Sequence, residues 1–461
     1  MKRLPVSILL LIAFLNLQTV VAPCQTLTDG LIATRLGAYL KDFEETGNFS
    51  GTVLVARSGQ VVFRQSYGMA SYELHVPNSN ETRYHIASVS KPFTATAILQ
   101  LQEQGRLNLS DPVSHYVPDF PNGDRITLGN LLTYTSGIPD INQLEDYDTF
   151  ARSPHTIEQL VAKFAGLPLE FQPGTNQRYS NSNYNLLALV LEKVTDGSYG
   201  DYIRKHILEP AGMQNSGSDR DASRVIPLLA PGYVPAGMAD YEKAAYLDWS
   251  NKMGNGSLYS TVDDLYRFDR ALKTDTLLKG ATRQKYYVEG PGNRYGWYML
   301  KRLGHRVMAA KGHSPGFTAE LDRYPDDDVT IILLSNSYGT ASQDPIATGL
   351  AAIVFGQTPT SAPVRPIAIS QSVLASYAGQ YQFGPDYFSP NAKFTLTSMQ
   401  GFLQMQVADH RTALVPVAQS EFLERIYFGR VATSKDTAGN LTGLTFRYGD
   451  QTFAAQRLVS K

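Results

Sequence analysis

Apolar residues recur at two different spacings along the first hundred residues, and each spacing predicts a different element. Residues 30–46 carry leucines and a phenylalanine at near-helical intervals, which predicts an amphipathic helix. Two apolar runs then flank Ser58 and Gly59, and such a pair between runs is typical of a β-hairpin turn. From Pro92 to Gly105 the spacing is helical again, and the glycine is a natural stop.

The remaining pattern predicts helices in the middle of the chain and strands later. Residues 110–230 are mostly helical in pattern, with loops between the helices. One apolar run ends near Lys311, and two more cover residues 317–324 and 329–335, with an acidic turn at 326–328 between them. Strands near both ends of this region predict a sheet built from distant parts of the chain.

The C-terminal part reads as a separate module. Residues 358–369 lie in a stretch rich in Pro, Ser and Thr, which predicts a linker after a main domain of residues 25–357. From 370 to 461, short alternating runs separated by turn clusters predict a small all-β domain, a barrel or a sandwich.

Residues 1–24 differ from the rest of the chain. Lys2 and Arg3 precede an apolar run, which predicts a secretory signal peptide and a periplasmic or secreted protein. A membrane span is the alternative, but Pro5 and later polar residues shorten the purely apolar stretch. Cys24 is the only cysteine, so neither an intrachain disulfide nor a cysteine metal site is expected. A lipid anchor at Cys24 is an alternative that the proline before it makes a poor fit.

Composition narrows the function classes. The chain has 461 residues, of which 43% are hydrophobic and 18% are charged, and this is globular rather than disordered. The formal net charge of −1 gives no reason to expect a nucleic-acid partner.

One Ser-x-x-Lys spacing suggests nucleophilic chemistry. On a helix, Ser88 and Lys91 share a face, whereas Ser90 points elsewhere. A lysine serves as the base for a serine hydroxyl only if its surroundings lower its pKa. The spacing also arises by chance, so a helix-capping Ser88 with a solvated Lys91 remains open at this point. Tyr179 and Asn181 precede an apolar helix and suit proton transfer, or merely cap that helix.

A competing nucleophile is Ser314 in the pattern Gly312-His313-Ser314-Pro315-Gly316, which fits the G-x-S-x-G elbow of α/β-hydrolases. That elbow needs a strand before the serine and a helix after it. The residues that follow read instead as strand, turn and strand, which disfavours this alternative.

The combination resembles the serine β-lactamase-related family, which includes class C β-lactamases, penicillin-binding proteins and related esterases and D-aminopeptidases. The resemblance covers residues from about 30 to 350. It is carried, in order, by HIASVSKPFTATAILQLQEQGRLNLSDPVSHYVPDF, ITLGNLLTYTSGIPD, FQPGTNQRYSNSNYNLLALVLEKVTDGSYGDYIRKHILEPAGM, GNGSLYSTVDDLYRFDRAL and GHSPGFTAELDRYP. It implies an α/β (α+β) fold, a β-lactamase/DD-peptidase-like three-layer α-β-α sandwich with a mainly antiparallel sheet and a helical subdomain. The tail resembles a small barrel-like domain of some members.

The resemblance also assigns roles. It implies that Ser88 is the acyl-enzyme nucleophile, Lys91 its base partner, Tyr179 a second proton carrier and Asn181 a polar partner of the lysine and the substrate. His313 matches the position at which class C enzymes carry the lysine of Lys-Thr-Gly. A largely neutral histidine there implies weaker selection for carboxylate-bearing substrates and favours esters or uncharged amides.

This chain departs from the family pattern after His313. The usual spelling is His-x-Gly, but here Ser314 and Pro315 come before Gly316. The departure leaves two candidates, Gly316 and Phe317, for the residue whose backbone N–H completes the oxyanion hole. An alternative is that His313 only hydrogen-bonds within the sheet edge.

The sequence therefore predicts a secreted serine hydrolase that uses no metal or cofactor. Its substrate would be a small molecule or a peptide, cleaved by an esterase, D-aminopeptidase/DD-peptidase or β-lactamase-type activity. Lys91 would deprotonate Ser88, and Tyr179 would help pass the proton to the leaving group. The alternative is a catalytically silent sensor or binding protein that keeps the fold. The sequence sets no oligomeric state.

Overall fold

The computed structural model describes residues 28–284, 293–338, 343–363, 365–408, 410–448 and 451–458. The predicted signal peptide and Cys24 lie outside these residues. Short 3-10 turns lie at Ala87–Ser90, Val113–His115, Ile141–Gln143 and Trp249–Lys252, and a π turn at Arg204–Leu208. The helices of the described residues are α1 (Asp29–Glu45), α2 (Lys91–Glu103), α3 (Leu128–Leu132), α4 (Tyr147–Phe150), α5 (Ile157–Ala165), α6 (Asn181–Thr195), α7 (Tyr199–Ile203), α8 (Val262–Ala271), α9 (Gly280–Gln284), α10 (Gln343–Val354) and α11 (Gln371–Tyr377).

The strands fall into a main sheet, several two- or three-stranded pieces and a C-terminal barrel. Those before the barrel are β1 (Gly51–Arg57), β2 (Gln60–Tyr67), β3 (Met69–Ser71), β4 (Val76–Pro77), β5 (Tyr84–His85), β6 (Gly217–Ser218), β7 (Tyr233–Ala236), β8 (Asp240–Lys243), β9 (Leu258–Ser260), β10 (Asn293–Arg294), β11 (Trp297–Arg302), β12 (His305–Ser314), β13 (Phe317–Tyr324) and β14 (Val329–Ser335). Those of the barrel are β15 (Gly379–Phe383), β16 (Lys393–Ser398), β17 (Leu403–Val407), β18 (His410–Ala418), β19 (Glu421–Glu424), β20 (Arg430–Lys435), β21 (Leu441–Tyr448) and β22 (Gln451–Arg457).

The main sheet is the middle layer of a three-layer α-β-α sandwich. Its seven antiparallel strands run in the order β10-β11-β12-β13-β14-β1-β2, so the two ends of the domain meet where β1 pairs with β14. Side chains alternate between its faces. Val53 and Val55 pack with α1 and α10, whereas Leu54 faces a larger core that contains α2, α6 and α8. The predicted three-layer fold with a mainly antiparallel sheet is confirmed.

The local predictions at both ends of this sheet are confirmed. The helix predicted over 30–46 is α1, whose first turn is capped by Thr28, which accepts a hydrogen bond from the Leu31 N–H. Ser58 and Gly59 both have positive φ, 50° and 78°, as a two-residue hairpin turn requires. Strands β13 and β14 begin and end where the alternation predicted.

One strand is longer than predicted. The run expected to end near Lys311 continues as β12 to Ser314, and the ladder with β13 pairs His313 with Thr318 and Ser314 with Phe317. Gly312 and Pro315 lower the apparent strand propensity of this stretch, which is why alternation alone stopped short.

The C-terminal strands close into an eight-stranded antiparallel barrel around its own apolar core, as the alternating pattern predicted. Arg425, which follows β19, joins this barrel to the rest of the chain. Its guanidinium is buried and donates to the carbonyl oxygens of Ala236, Gly237, Asp240 and Gly47 at 2.7–3.3 Å. These carbonyls belong to the β7–β8 ribbon and to the turn after α1, so one side chain ties three segments together.

Among the residues that the structure describes, no helix combines the length and the apolar character that a membrane crossing requires.

We expect Arg425→Met to destabilise the junction between the barrel and the main domain. The change leaves four carbonyl oxygens without their donor, and the loss at the buried Gly237 carbonyl alone costs about 1–3 kcal/mol. Thermal denaturation of the full chain should show a lower midpoint or a separate early transition. Arg447→Met, at an exposed position on β21, is the matched control and should leave the midpoint unchanged. Equal midpoints for both variants would contradict the proposed role of the guanidinium.

Candidate active site

Ser88 lies in the 3-10 turn Ala87–Ser90 that leads directly into α2. The turn is tightly held: the Ile86 N–H donates to the Leu258 carbonyl, and the Val89 N–H donates to the Ile86 carbonyl. Ala87 has a positive φ of 45°, an unusual conformation for a residue with a Cβ atom. Ser88 itself is only half-buried, so its hydroxyl is fixed in position and accessible from outside.

Lys91, one turn further on, is fully buried and directs its amine at Ser88. Its Nζ atom lies 2.8 Å from Ser88 Oγ, 2.9 Å from Asn181 Oδ1 and 2.9 Å from the Asn255 carbonyl oxygen. Burial holds the pKa of Lys91 well below its usual value, Asp140 raises it in part, and Lys252 lowers it further. The alternative of a solvated lysine on a capping turn is therefore wrong.

Tyr179 completes a triangle with Ser88 and Lys91. Its hydroxyl lies 2.8 Å from Ser88 Oγ, and the Lys91 Nζ atom lies 4.9 Å from the centre of its ring. Tyr134, where a histidine is frequent in the family, stacks on this ring with the ring centres 5.0 Å apart. Burial raises the pKa of Tyr179 well above its usual value, so the phenol is protonated at neutral pH.

Asn181 is the first residue of α6, and a carboxylate behind it fixes its amide. The Asn181 Nδ2 group lies 3.1 Å from both carboxylate oxygens of Asp140, and its backbone N–H donates to Asp140 Oδ1 at 3.2 Å. Because the amide nitrogen faces the carboxylate, the carbonyl oxygen of Asn181 is turned toward Lys91. The amide is thereby held as an acceptor for the lysine.

Strand β12 passes beside the serine at Gly312. A Cβ atom at this position would overlap the Ile86 carbonyl oxygen and lie 3.1 Å from the Ser88 nitrogen, so only glycine permits this approach. Side chains alternate along β12, so Ala310 is on the same side of the strand as Gly312, the side that faces Ser88. Lys311 is on the other side, where it pairs with Asp344 at 2.8 Å. The exposed side chain of His313 alternates with Gly312 and therefore does not face Ser88 from the strand, unlike the lysine position that it was expected to match.

Gly316 and Phe317, the two expected candidates for the oxyanion hole, lie beyond the end of this strand. Gly316 occupies the turn between β12 and β13 with a φ of 82° and packs directly against the backbone of Gly232. Phe317 pairs with Ser314 across the hairpin, and its ring meets His85 edge to face.

The nucleophile elbow centred on Ser314 is wrong on structural grounds. Ser314 is the last residue of β12, and a two-residue turn leads into β13 rather than into a helix. The sharp strand-to-helix turn that would expose such a serine is missing here, and Ser314 is buried.

Sequence reasoning missed four residues that shape this site: Asp140, Lys252, Asn255 and Gly312. Asp140 is the last residue of the quoted segment ITLGNLLTYTSGIPD and carries no motif of its own, and Lys252 and Asn255 flank Met253-Gly254 in a loop without periodicity. Gly312 was read only as part of the elbow. Within the described part of the chain, no three His, Cys, Asp or Glu side chains are grouped as a metal site would require.

Known proteins similar to this chain show its family. A sequence profile of the family described as Beta-lactamase matches residues 36–354. A penicillin-binding protein of Bacillus subtilis (strain 168) is 30% identical over 412 residues, which is 83% of this chain and 89% of that protein. The solved penicillin-binding protein of Bacillus halodurans is 26% identical, with a TM-score of 0.60 over 69% of this chain and 98% of that one.

A D-stereospecific amidohydrolase from Streptomyces sp. is similar to the same extent. It is 25% identical, and the match covers 71% of this chain and 98% of that chain with a TM-score of 0.60. The chain thus belongs to the β-lactamase family. Its fold and its relatives identify it as a serine hydrolase.

Gly312→Ala should displace the turn that carries Ser88. The added methyl group overlaps the Ile86 carbonyl, and a shift of the nucleophile of up to about 1 Å can lower kcat/KM by about 100-fold. Hydrolysis of p-nitrophenyl acetate measures the effect. Gly166→Ala is the control, because its methyl group would meet no atom within 4 Å. Wild-type activity in Gly312→Ala would show that β12 does not press on the nucleophile.

Proposed function

We propose that the protein hydrolyses an ester or an uncharged amide through an acyl-enzyme on Ser88. The observation that carries this proposal is the buried Lys91 amine, which lies 2.8 Å from a serine hydroxyl that remains accessible. A lysine whose pKa is lowered by burial can accept a proton at neutral pH. Among the described residues, the other hydrogen-bond partner of this hydroxyl is Tyr179, which stays protonated and is therefore a weaker base than Lys91.

The proton path follows from these contacts. The Ser88 proton moves to Lys91 Nζ as Ser88 Oγ bonds to the substrate carbonyl carbon and the carbonyl π electrons move to its oxygen. Tyr179 donates its proton to the departing oxygen or nitrogen and is reprotonated from Lys91, whose ammonium lies against its ring. The leaving group departs neutral, and Ser88 holds the acyl group. Water then attacks by the same path in reverse.

The ladder between β12 and β13 supports a particular oxyanion hole. Ser314 and Phe317 close a two-residue turn and exchange both of their backbone hydrogen bonds. Because such pairs alternate along an antiparallel ladder, the N–H of His313 points away from β13. The last β11–β12 pair is Tyr298 with Ala309, so that N–H faces an edge beyond the end of β11.

The His313 N–H therefore joins the Ser88 N–H as the proposed pair of oxyanion donors. Gly312, which touches the Ser88 backbone, brings the two amides to the same place. This arrangement favours His313 over Gly316 and Phe317, which lie at the hairpin turn. Two backbone donors at the developing oxyanion supply the largest single stabilisation that such sites use.

The substrate preference rests on charge. The side of β12 that faces the serine carries Ala310 and Gly312, both uncharged, so this strand offers no cation for a substrate carboxylate. Esters and uncharged amides are therefore the proposed class, and the likeness to a D-stereospecific amidohydrolase favours D-amino-acid amides among them. Export to the periplasm or the medium is part of the proposal and rests on residues 1–24 alone.

Covalent labelling tests the nucleophile. A fluorophosphonate should add one adduct to the wild type and to Ser314→Ala, but none to Ser88→Ala, because the described contacts place a lysine amine on the Ser88 hydroxyl. Intact mass and a peptide map identify the adduct. Ser314→Ala is the matched control, since it removes a hydroxyl from the same site region.

A second measurement separates hydrolysis from binding alone. Short p-nitrophenyl esters, D-amino-acid p-nitroanilides and a chromogenic cephalosporin are compared by kcat/KM, with the esters or amides expected to lead. An adduct without turnover of any of them would favour the silent sensor, and labelling that survives in Ser88→Ala would end the proposal.

A further inference from the structure

A chain of hydrogen-bonded polar groups, of which Asn142 is exposed, links the Lys91 amine to a second lysine. Lys91 donates to Asn181 Oδ1, and the Asn181 amide and backbone N–H donate to Asp140. The backbone N–H of Asn142 donates to the same carboxylate at 3.1 Å. The side-chain oxygen of Asn142 in turn accepts a hydrogen bond of 3.2 Å from Lys252 Nζ.

Lys252 is as unusual in its burial as Lys91. It lies in the 3-10 turn Trp249–Lys252, and only 5% of its surface is exposed. Its amine lies 4.8 Å from the centre of the Tyr147 ring, an arrangement that favours a cation. The motif-based reading of the site gives this residue no role.

The charges in this cluster do not balance if both lysines are protonated. Asp140 is the buried carboxylate of the network and contacts Asn181 and Asn142, not either amine directly. A buried positive charge without a negative partner costs several kcal/mol. With one buried carboxylate for two buried amines, one protonated lysine is the favoured state.

We infer that Lys252 carries the positive charge that balances Asp140 and so leaves Lys91 as the neutral base. This inference rests on the proposed function of Ser88 and Lys91. Lys252 is thus a positioning residue that acts through its charge. It touches neither the substrate nor Ser88, but it sets the protonation state of Lys91, which contacts Ser88.

The surroundings of the two amines support this division. Both amines lie beside aromatic rings, so the rings do not separate them, but the hydrogen-bond acceptors of Lys91 are all neutral. Lys252 faces Tyr147, and the charges of Asp140 and Asp148 favour its protonated form. Burial lowers the pKa of Lys252 to about 8, so it is mostly protonated at pH 7. Burial lowers the pKa of Lys91 well below 10.5, and the Lys252 charge acts in the same direction.

The sign of the effect on activity follows. A base works only when it is unprotonated, so kcat/KM rises with pH through the pKa of Lys91. Removing the Lys252 charge leaves Asp140 unbalanced and raises the pKa of Lys91. The rising limb of the plot of kcat/KM against pH then moves to higher pH. At pH values below this rise, a shift of one unit lowers kcat/KM about tenfold.

The experiment compares pH profiles of kcat/KM for p-nitrophenyl acetate in the full-length protein. Lys252→Met keeps the length and the apolar stem and removes the charge. We expect its rising limb to move up by about one unit and its high-pH plateau to stay within about threefold of the wild type. Lys252→Arg, which keeps the charge, should return the limb toward its original position. Lys163→Met, a lysine of the same subdomain on α5, is the control and should leave the profile unchanged.

A double variant tests whether the effect runs through Asp140. Asp140→Asn removes the charge that Lys252 balances, so Asp140→Asn/Lys252→Met should bring the limb back toward the wild-type pH. If Lys252→Met does not fold, Lys252→Gln keeps a side chain that reaches Asn142 and replaces it in every comparison.

The results separate this inference from the proposed function. The inference is overturned if the rising part of the kcat/KM pH profile does not move in Lys252→Met. It is also overturned if kcat/KM falls equally at every pH, because lost packing alone would produce that result. Unlabelled wild type, or activity in Ser88→Ala, overturns the proposed function instead.

Discussion

Burying an amine next to a serine is the constraint on which the rest of this site depends. An ammonium group in the interior is costly, and the acceptors around Lys91 are neutral: a hydroxyl, an amide oxygen and a backbone carbonyl. Such a set satisfies an amine without fixing a positive charge on it. The core around α2 and α6 therefore has a chemical effect as well as a packing one, since burial holds the pKa of the amine well below its usual value.

The position of Ser88 also bears on how strands β11 and β12 of the main sheet end. The proposed acylation of Ser88 needs two backbone donors that lie beside the hydroxyl without covering it. A helix end supplies one backbone amide, and β12 runs past it so closely that only a glycine fits at position 312. The β11–β12 ladder ends at the pair Tyr298–Ala309, so Gly312 and His313 lie past the end of that ladder.

How much of the fold and of the site the sequence predicts depends on how far apart along the chain the interacting residues lie. The hairpin at Ser58-Gly59 and the Ser88–Lys91 spacing are local, so propensity and periodicity are enough to find them. Tyr179 and Asn181 were placed by resemblance, because nothing in their own surroundings identifies them. Asp140 and Lys252 could not be found in either way, since their meaning comes only from tertiary contact with residues about forty to 160 positions away.

The barrel contacts the main domain close to the same sheet edge. Arg425 fixes the β7–β8 ribbon, and Tyr233 of that ribbon exchanges backbone hydrogen bonds with Asn336 and Tyr338 just after β14. Immediately before Tyr233, Gly232 packs backbone to backbone against Gly316. The turn that ends β12 is thus held from the barrel side while Gly312 is held from the serine side. His313 lies in the segment between these two contacts, so the ribbon bounds that segment on one side and the turn that carries Ser88 bounds it on the other.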